Sequence, residues 1–423
     1  MSARLPPPRR VVVIGGGIAG LATAWYAAQD GHDVALVDRG APDGDRCSLG
    51  NAGMIVPSHF VPLASPGSVK IGLLSLANPR SPLRVAPRLD PGYLRWCWQF
   101  LRAARSARVA RAAPVLRDLA LLSRRGYEAL TLLWPQGVPL AEHGMLVLCR
   151  SAHALREEEG AARMAQRLGM PVEVLDRDAA AALEPDLDLE VAGAVRYPLD
   201  AHTVPQRVVA TLVAGLAEAG VELHWHAEVT GFRRTGSRIA AAATAAGEIG
   251  GDEFVIAGGM GSAALARAID LPLPLMSGKG YSFTLERPRV RPRACAILSE
   301  ARIAVTPMGP AVRFAGTMEL CGLDRSIDPR RIAPMLEAIP RYFPQFGPAD
   351  FAGIKPWAGL RPCSPDGLPY IGRTRRADNV LLATGHAMLG VSLAPGTGRV
   401  ISDLIAGREP PVPIGLYSPD RFG

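Results

Sequence analysis

The chain has 423 residues, 48% hydrophobic and 20% charged, and that apolar share excludes a disordered or fibrous polymer. At about 150 residues per domain it has length for two or three units with sizeable cores. The formal charge is +8, yet only three of the 47 basic residues are Lys and the Arg residues are spread along the chain, so a nucleic-acid-binding face is not expected.

Residues 11–14 are a continuous β-branched apolar run, suited to a parallel strand buried on both faces. Arg9-Arg10 ahead of it imitates a twin-arginine export signal, but the run is too short, and cleavage would remove the motif that follows. That motif is Gly15-Gly16-Gly17-Ile18-Ala19-Gly20, which leads into an Ala-rich helix over 21–29. A second strand, Asp33–Val37, ends at Asp38. Each piece has a task in dinucleotide binding: Gly15 makes the tight turn, Gly17 lets backbone approach a pyrophosphate, and Gly20 lets helix and strand pack closely. The helix N-terminus carries positive charge for the anion, and Asp38, 18 residues after Gly20, suits a ribose diol.

Further along, residues 91–132 predict helix interrupted at Pro114, and 153–168 and 204–219 predict two more helices. Strands are expected at 221–226, 228–233 and 254–259, with antiparallel alternation over 279–285 and 301–318. A last buried strand at 379–383 precedes Thr384-Gly385-His386 and a helix near 396–406. There is no internal repeat and no apolar run near the ~20 residues that span a bilayer. The six Cys (47, 97, 149, 295, 321, 363) lie far apart with no CxxC, and no His stands at metal spacing, so neither a disulfide scaffold nor a metal site is expected. A reducing, cytoplasmic setting follows. Arg102, Arg105, Arg108 and Arg111 beside the aromatics of 93–100 raise two readings, a basic helix lying on an anionic membrane or a helix with core Trp and solvated Arg.

The glycine motif, Ser48-Leu49-Gly50-Asn51-Ala52-Gly53, Ala257-Gly258-Gly259, Lys279-Gly280-Tyr281, Gly359-Leu360-Arg361-Pro362, 364–372 and 383–398 together resemble the D-amino-acid oxidase superfamily of flavoproteins. Within it the chain is most similar to bacterial D-amino-acid dehydrogenases, including those that oxidise D-proline and hydroxy-D-proline. The resemblance implies an α/β fold: a Rossmann-like FAD-binding domain (8–90, 195–272 and 355–423) interleaved with an α+β substrate domain with a mostly antiparallel sheet (91–194 and 273–354). It implies non-covalent FAD held by Gly15, Gly17, Ile18, Ala19, Gly20, Asp38, Arg39, Ser48, Asn51, Ala52, Gly53, Val229, Gly258, Gly390, Val391 and Ser392. Cys363 is out of register with the Cys through which sarcosine-oxidase relatives attach flavin.

The same resemblance makes Arg361 the clamp for a substrate carboxylate, which a planar guanidinium binds bidentately. Tyr281 either supplements that clamp or fills a core, and His386 either lines the flavin or acts as a base. Met388 stands where a glycine-oxidase relative has Arg, which argues against glycine-oxidase specificity. The stretch 54–62 is expected to roof the substrate and points to a cyclic, proline-like one. The implied reaction is D-amino-acid oxidation with electrons passed to a quinone or other non-oxygen acceptor, with peripheral contact to the inner membrane as one option. The alternatives are an oxygen-dependent glycine, sarcosine or D-amino-acid oxidase, a nicotinamide-dependent dehydrogenase and a non-catalytic flavoprotein.

Overall fold

The computed structural model describes residues 7–78, 80–85 and 88–423, so positions 79, 86 and 87 of the first expected segment lie outside the described residues. A six-stranded sheet runs in the spatial order Glu222–His224, Asp33–Val37, Arg10–Ile14, Glu253–Ile256, Val380–Thr384, Tyr370–Arg373. Its first five strands are parallel, and the last pairs antiparallel. Arg10–Ile14 is central, paired on both edges and buried along Val11, Val12, Val13 and Ile14, which is why that stretch is apolar on both faces.

Helices cover this sheet through small residues. Helix Ile18–Gln29 lies so close to its own strand that a Cβ on Gly20 would sit 1.9 Å from Gly15 O. Helix Gly390–Ile405 crosses the first helix at Gly398, where a Cβ would be 2.6 Å from Ala22 O. Helix Ser106–Leu133 crosses it at Gly396, 2.9 Å from Leu119 O by the same construction.

The second sheet has nine strands and is mostly antiparallel. Its path is Trp357–Cys363, Met276–Leu285, Ala311–Leu320, Ile303–Met308, Cys295–Leu298, Met145–Cys149, Gly193–Tyr197, Glu173–Asp176, with Leu83–Val85 added beside Ala311–Leu320. One face packs Tyr281, Phe283 and Phe314 against Ile332, Met335 and Ile339 of helix Pro329–Tyr342. The other face carries Gly278, Gly280 and Ser282 and looks toward the Ser48 to Gly53 loop.

Several expectations need correction. The helix over 91–132 breaks at Ala104 and Arg105, which leave helical geometry, while Pro114 sits inside an unbroken helix. Arg102 therefore lies on one helix and Arg108 and Arg111 on the next, so the four Arg residues share no single helical face. The stretch 301–318 is a hairpin turned at Gly309, φ +69°. The boundaries expected at 195 and 355 cut against the pairing, because Gly193–Tyr197 and Trp357–Cys363 both hydrogen-bond into the second sheet.

Alanine normally improves on glycine inside a helix by about 1 kcal/mol. At Gly20 the clash with Gly15 O reverses the sign, and Gly20→Ala is expected to lose about 1–3 kcal/mol through displaced backbone. Thermal denaturation should show a lower midpoint than wild type.

Candidate active site

The turn after the first strand is held by Gly15 N bonding Val37 O at 2.8 Å, with Gly15 at φ +122°, a conformation that suits glycine. Asp38 closes the next strand and receives Gly16 N at 2.5 Å and Gly40 N at 2.7 Å. Ser48 Oγ accepts from Ile18 N at 3.2 Å, at the start of the helix. A Cβ on Gly17 would meet no atom within 4 Å, so the backbone there faces open space rather than protein. The N-terminus of a helix, open glycine backbone and a carboxylate at the second strand end fit an anionic dinucleotide.

That open space is part of a cavity of about 810 Å³, of the size that suits a large cofactor. Among the expected residues, Gly15, Gly17, Ile18, Ala19, Asp38, Arg39, Ser48, Asn51, Ala52, Gly258, Gly390 and Val391 line it. Gly20, Gly53, Val229 and Ser392 do not. Gly53, at φ +71°, turns the chain where a Cβ would be 2.3 Å from Thr203 O, and Ser392 Oγ accepts from Val56 N at 2.9 Å. Val229 is buried at the start of a small antiparallel sheet.

The Ser48 to Gly53 loop is fastened from the second sheet. Arg313 Nη1 donates to Leu49 O at 2.7 Å and to Asn51 O at 2.8 Å, and Ser282 Oγ donates to Gly50 O at 2.9 Å. Asn51 then reaches Met388 O at 3.2 Å, which ties the loop to the approach of the last helix. Gly50 needs its bareness: a Cβ there would be 2.1 Å from the Trp357 ring.

Arg361 lies on the same face of the second sheet as Trp357, and its guanidinium rests flat over Gly280, 2.1 Å from where a Cβ would be. Nη1 donates to Thr317 O at 2.8 Å, and no carboxylate among the described residues pairs with it. Burial pulls its pKa down. Thr317 itself is held at φ +59°, a rare backbone state for a β-branched residue, and its buried Oγ1 has no partner among the described residues. A half-buried cation with spare donors, beside a strained carbonyl that aims it, is chemically suited to receive a carboxylate.

The other two candidates fare differently. Tyr281 alternates to the opposite face of its strand, in the phenylalanine core, and its hydroxyl donates to Glu319 Oε2 at 3.0 Å. Its hydroxyl is thus engaged on the core side, while the residue also borders the cavity. His386 lines the cavity, but its Nε2 is 3.0 Å from Thr397 Oγ1 and burial pushes its pKa down to about 4, so it is a neutral wall residue near pH 7. The Cys363 thiol is buried and pushed up to about 12, and a Cβ on Gly278 would be 2.9 Å from its Sγ.

Met54, Val56, Ser58, His59, Val61 and Pro62 line the same cavity. The sequence reading missed further wall residues: Arg46, from the loop before Ser48, and Met145, Val147, Tyr197 and Ile297, which carry no motif and arrive through the pairing of distant strands.

Residues 10–404 match the family described as FAD dependent oxidoreductase, DAO. A D-amino acid dehydrogenase 2 of Mesorhizobium japonicum is 34% identical over 416 residues, covering 96% of this chain and 99% of that protein. A D-amino-acid oxidase of Bradyrhizobium diazoefficiens is 32% identical over 428 residues, covering 99% and 100%. Among solved structures, glycine oxidase from Geobacillus kaustophilus superposes with a TM-score of 0.78 at 23% identity, over 98% of this chain and 100% of that one.

Arg313 anchors the loop by charged hydrogen bonds to carbonyls, each worth about 1.5–3 kcal/mol. Arg313→Met is expected to leave the second sheet folded and to free the loop. Limited proteolysis should then cut near 45–53 faster than in wild type.

Proposed function

We propose that this chain, which belongs to the DAO family of FAD-dependent oxidoreductases, oxidises a D-amino acid at its Cα–N bond and delivers the electrons to a quinone or other non-oxygen acceptor. The observation that carries the reading is Arg361, a half-buried guanidinium on the cavity wall with a single carbonyl partner and no carboxylate among the described residues. The names of the relatives at 34% and 32% identity support an amino-acid substrate of D configuration.

FAD, when bound, supplies the acceptor for the hydride that leaves the substrate carbon. The residues that would hold it are Gly17, Ile18 and Ala19 at the helix start, Asp38 at the ribose, Ser48, Asn51 and Ala52 along the linker, and Gly390 and Val391 at the start of the last long helix. Non-covalent binding is the reading for this chain, because the Cys363 thiol is protonated and packed away. Arg361 takes the substrate carboxylate with the donors that Thr317 leaves free, which fixes the orientation of Cα. The apolar wall of Met54, Val56 and Pro62 supports a compact aliphatic or ring-closed side chain, D-proline or 4-hydroxy-D-proline being the finer assignment.

An oxygen-using oxidase is the second reading, favoured by the relative named D-amino-acid oxidase. Substrate-dependent peroxide separates the two. An anaerobic panel of D- and L-amino acids, sarcosine and proline derivatives, followed by flavin bleaching, tests substrate class directly. Bleaching by L-amino acids or sarcosine alone would sink the D-amino-acid reading.

Removing one partner of a buried charge pair costs about 2–5 kcal/mol. Arg361→Gln should therefore weaken substrate binding about 30-fold or more while leaving flavin content unchanged. Arg361→Lys keeps the charge without the fork and should recover only part of the loss. Equal substrate affinity in wild type and Arg361→Gln would remove the clamp.

Delivery to a membrane acceptor has its own support. Helix Pro91–Ala103 buries Tyr93 and Trp96 but exposes Leu94, Trp98 and Leu101 next to Arg95 and Arg102, with Arg102 4.5 Å over the Trp98 ring. Its two Trp residues are thus divided between core and surface. No helix among the described residues is long and apolar enough to cross a membrane, so contact would be peripheral. Wild type should sediment with anionic lipid vesicles and be released by salt, and Trp98→Ala with Leu101→Ala should reduce the bound fraction. Equal binding to neutral vesicles, or none to either, would count against the contact.

A further inference from the structure

We infer that Asp200, Ser58 and His59 form a proton relay that opens on the cavity at His59 and takes up the proton leaving the substrate nitrogen. The inference rests on the amino-acid reading above and adds to it a route for that proton.

Asp200 is fully buried and accepts two hydrogen bonds from one residue, Ser58 N at 3.1 Å and Ser58 Oγ at 2.5 Å. Among the described residues no cation pairs with it. Ser58 Oγ also lies 3.2 Å from His59 Nδ1, and His59 lines the cavity with no partner for Nε2 among the described residues. The stretch is held firmly: His59 N bonds Val56 O at 3.0 Å, and Val56 N bonds Ser392 Oγ at 2.9 Å. A carboxylate, a hydroxyl and an imidazole thus stand in line, with the free nitrogen at the open end.

His59 alone would be a poor acceptor, since burial pushes its pKa down to about 4 and an imidazolium there is disfavoured. The chain behind it removes that difficulty. Ser58 has one hydroxyl proton. With Asp200 ionised, Ser58 donates to Asp200 and accepts from His59 Nδ1–H, which leaves Nε2 as a lone pair facing the cavity. With Asp200 protonated, Asp200 donates to Ser58, Ser58 donates to Nδ1, and the imidazole carries its hydrogen on Nε2.

Passage between these states moves one proton. The substrate N–H bond breaks as Nε2–H forms; Nδ1–H breaks as a new Ser58 O–H forms; the old Ser58 O–H breaks as Asp200 O–H forms. His59 only changes tautomer and stays neutral. The substrate nitrogen keeps the electron pair of its broken N–H bond, the pair that assists departure of the Cα hydride. The receiving group is Asp200, whose carboxyl burial pushes up to about 7. The charged group that Asp200 feels is Arg124, whose guanidinium is already bonded to Glu128, Glu142 and Leu199 O. Tyr197 and Cys295, coupled to Asp200, have pKa values raised by burial and stay uncharged near neutrality. His202, also buried near this stretch, is held down at about 4 and is neutral too.

Because Asp200 must be ionised to receive the proton, the rate rises with pH through the Asp200 value. The test is anaerobic flavin bleaching by D-alanine and by D-proline from pH 5 to 10, in holoenzyme of wild type, His59→Gln, Ser58→Ala and Asp200→Asn. Wild type should show an acid limb with an inflection near 7. Each variant should be slower at pH 7 by about 100-fold or more, the scale of general-base assistance, and should recover only toward the more alkaline value of the free amine. Acetate titrated against the flavin spectrum reads carboxylate binding at Arg361 and should be unchanged, which separates a lost relay from a damaged fold. Should Asp200→Asn fail to fold, His59→Gln and Ser58→Ala carry the test, since both side chains stand at the cavity. Variants that bind acetate normally and keep the wild-type pH profile would overturn the relay alone. A wild-type flavin that no amino acid bleaches would overturn the relay and the amino-acid reading together.

Discussion

The Arg361 guanidinium is half-buried at the cavity wall, which strips away part of its hydration, and no carboxylate among the described residues returns that energy. The second sheet is shaped around this burden with bare backbone. Gly280 lies directly under the guanidinium, Gly359 under the Trp357 ring, and Gly50 faces that ring from the opposite loop. Any side chain at these three positions would fill the space that the cation and the indole occupy. The single bond offered to Arg361 comes from Thr317 O, and it requires Thr317 to adopt φ +59°. Strain of this kind persists only where the surroundings over-determine it. Here Thr317 sits at a bulge of the long strand Ala311–Leu320, where the register with Met276–Leu285 shifts, and the paired residues on either side of it, Gly316 and Met318, supply the restraint.

Arg313, on the same strand, shows what a structural arginine looks like in this environment. It is buried, with its pKa pulled down to about 10, but its donors are spent on Leu49 O, Asn51 O and Thr284 Oγ1. Its bonds close a loop; those of Arg361 are left open. The two side chains share a strand environment and a charge, and they differ in whether the protein completes their hydrogen bonding. That difference separates an anchor from a binding group without reference to any motif.

Local patterns made part of this legible in the chain. The first strand, the glycine turn and Asp38 could be read because strand burial, turn geometry and helix polarity are all written within thirty residues. Arg361 was found by motif resemblance, but the meaning of Gly280 depends on the register that sets Gly278 opposite Arg361 across eighty residues of sequence. Tyr281 could not be assigned to a face without that register. Helix Pro329–Tyr342 went unseen because Pro334 and Pro340 interrupt its pattern, although Asp328 caps it and its apolar stripe covers the second core. The break at Ala104 and Arg105 carries no glycine or proline, whereas the proline that invited a break is absorbed. Asp200 and Ser58 are 142 residues apart, so no local reading could join them.

The clamp and the relay also answer each other electrostatically. The cavity wall carries a cation with no carboxylate partner among the described residues, and behind Ser58, at pH above the Asp200 value, stands a carboxylate with no cation partner among them. A zwitterion of the amino-acid type brings both missing charges at once. In the proposed reading its carboxylate would pair with Arg361 and its ammonium with Asp200 through the relay. Transfer of the proton then neutralises the second pair outright, so the step that frees the nitrogen lone pair is also the step that removes the last uncompensated charge from a low-dielectric space. A carboxylic acid without an amine would satisfy Arg361 and leave Asp200 charged, and a simple amine would do the reverse. On the proposed function, discrimination for α-amino acids would rest on Arg361 and Asp200 together, before any contact with the side chain is made.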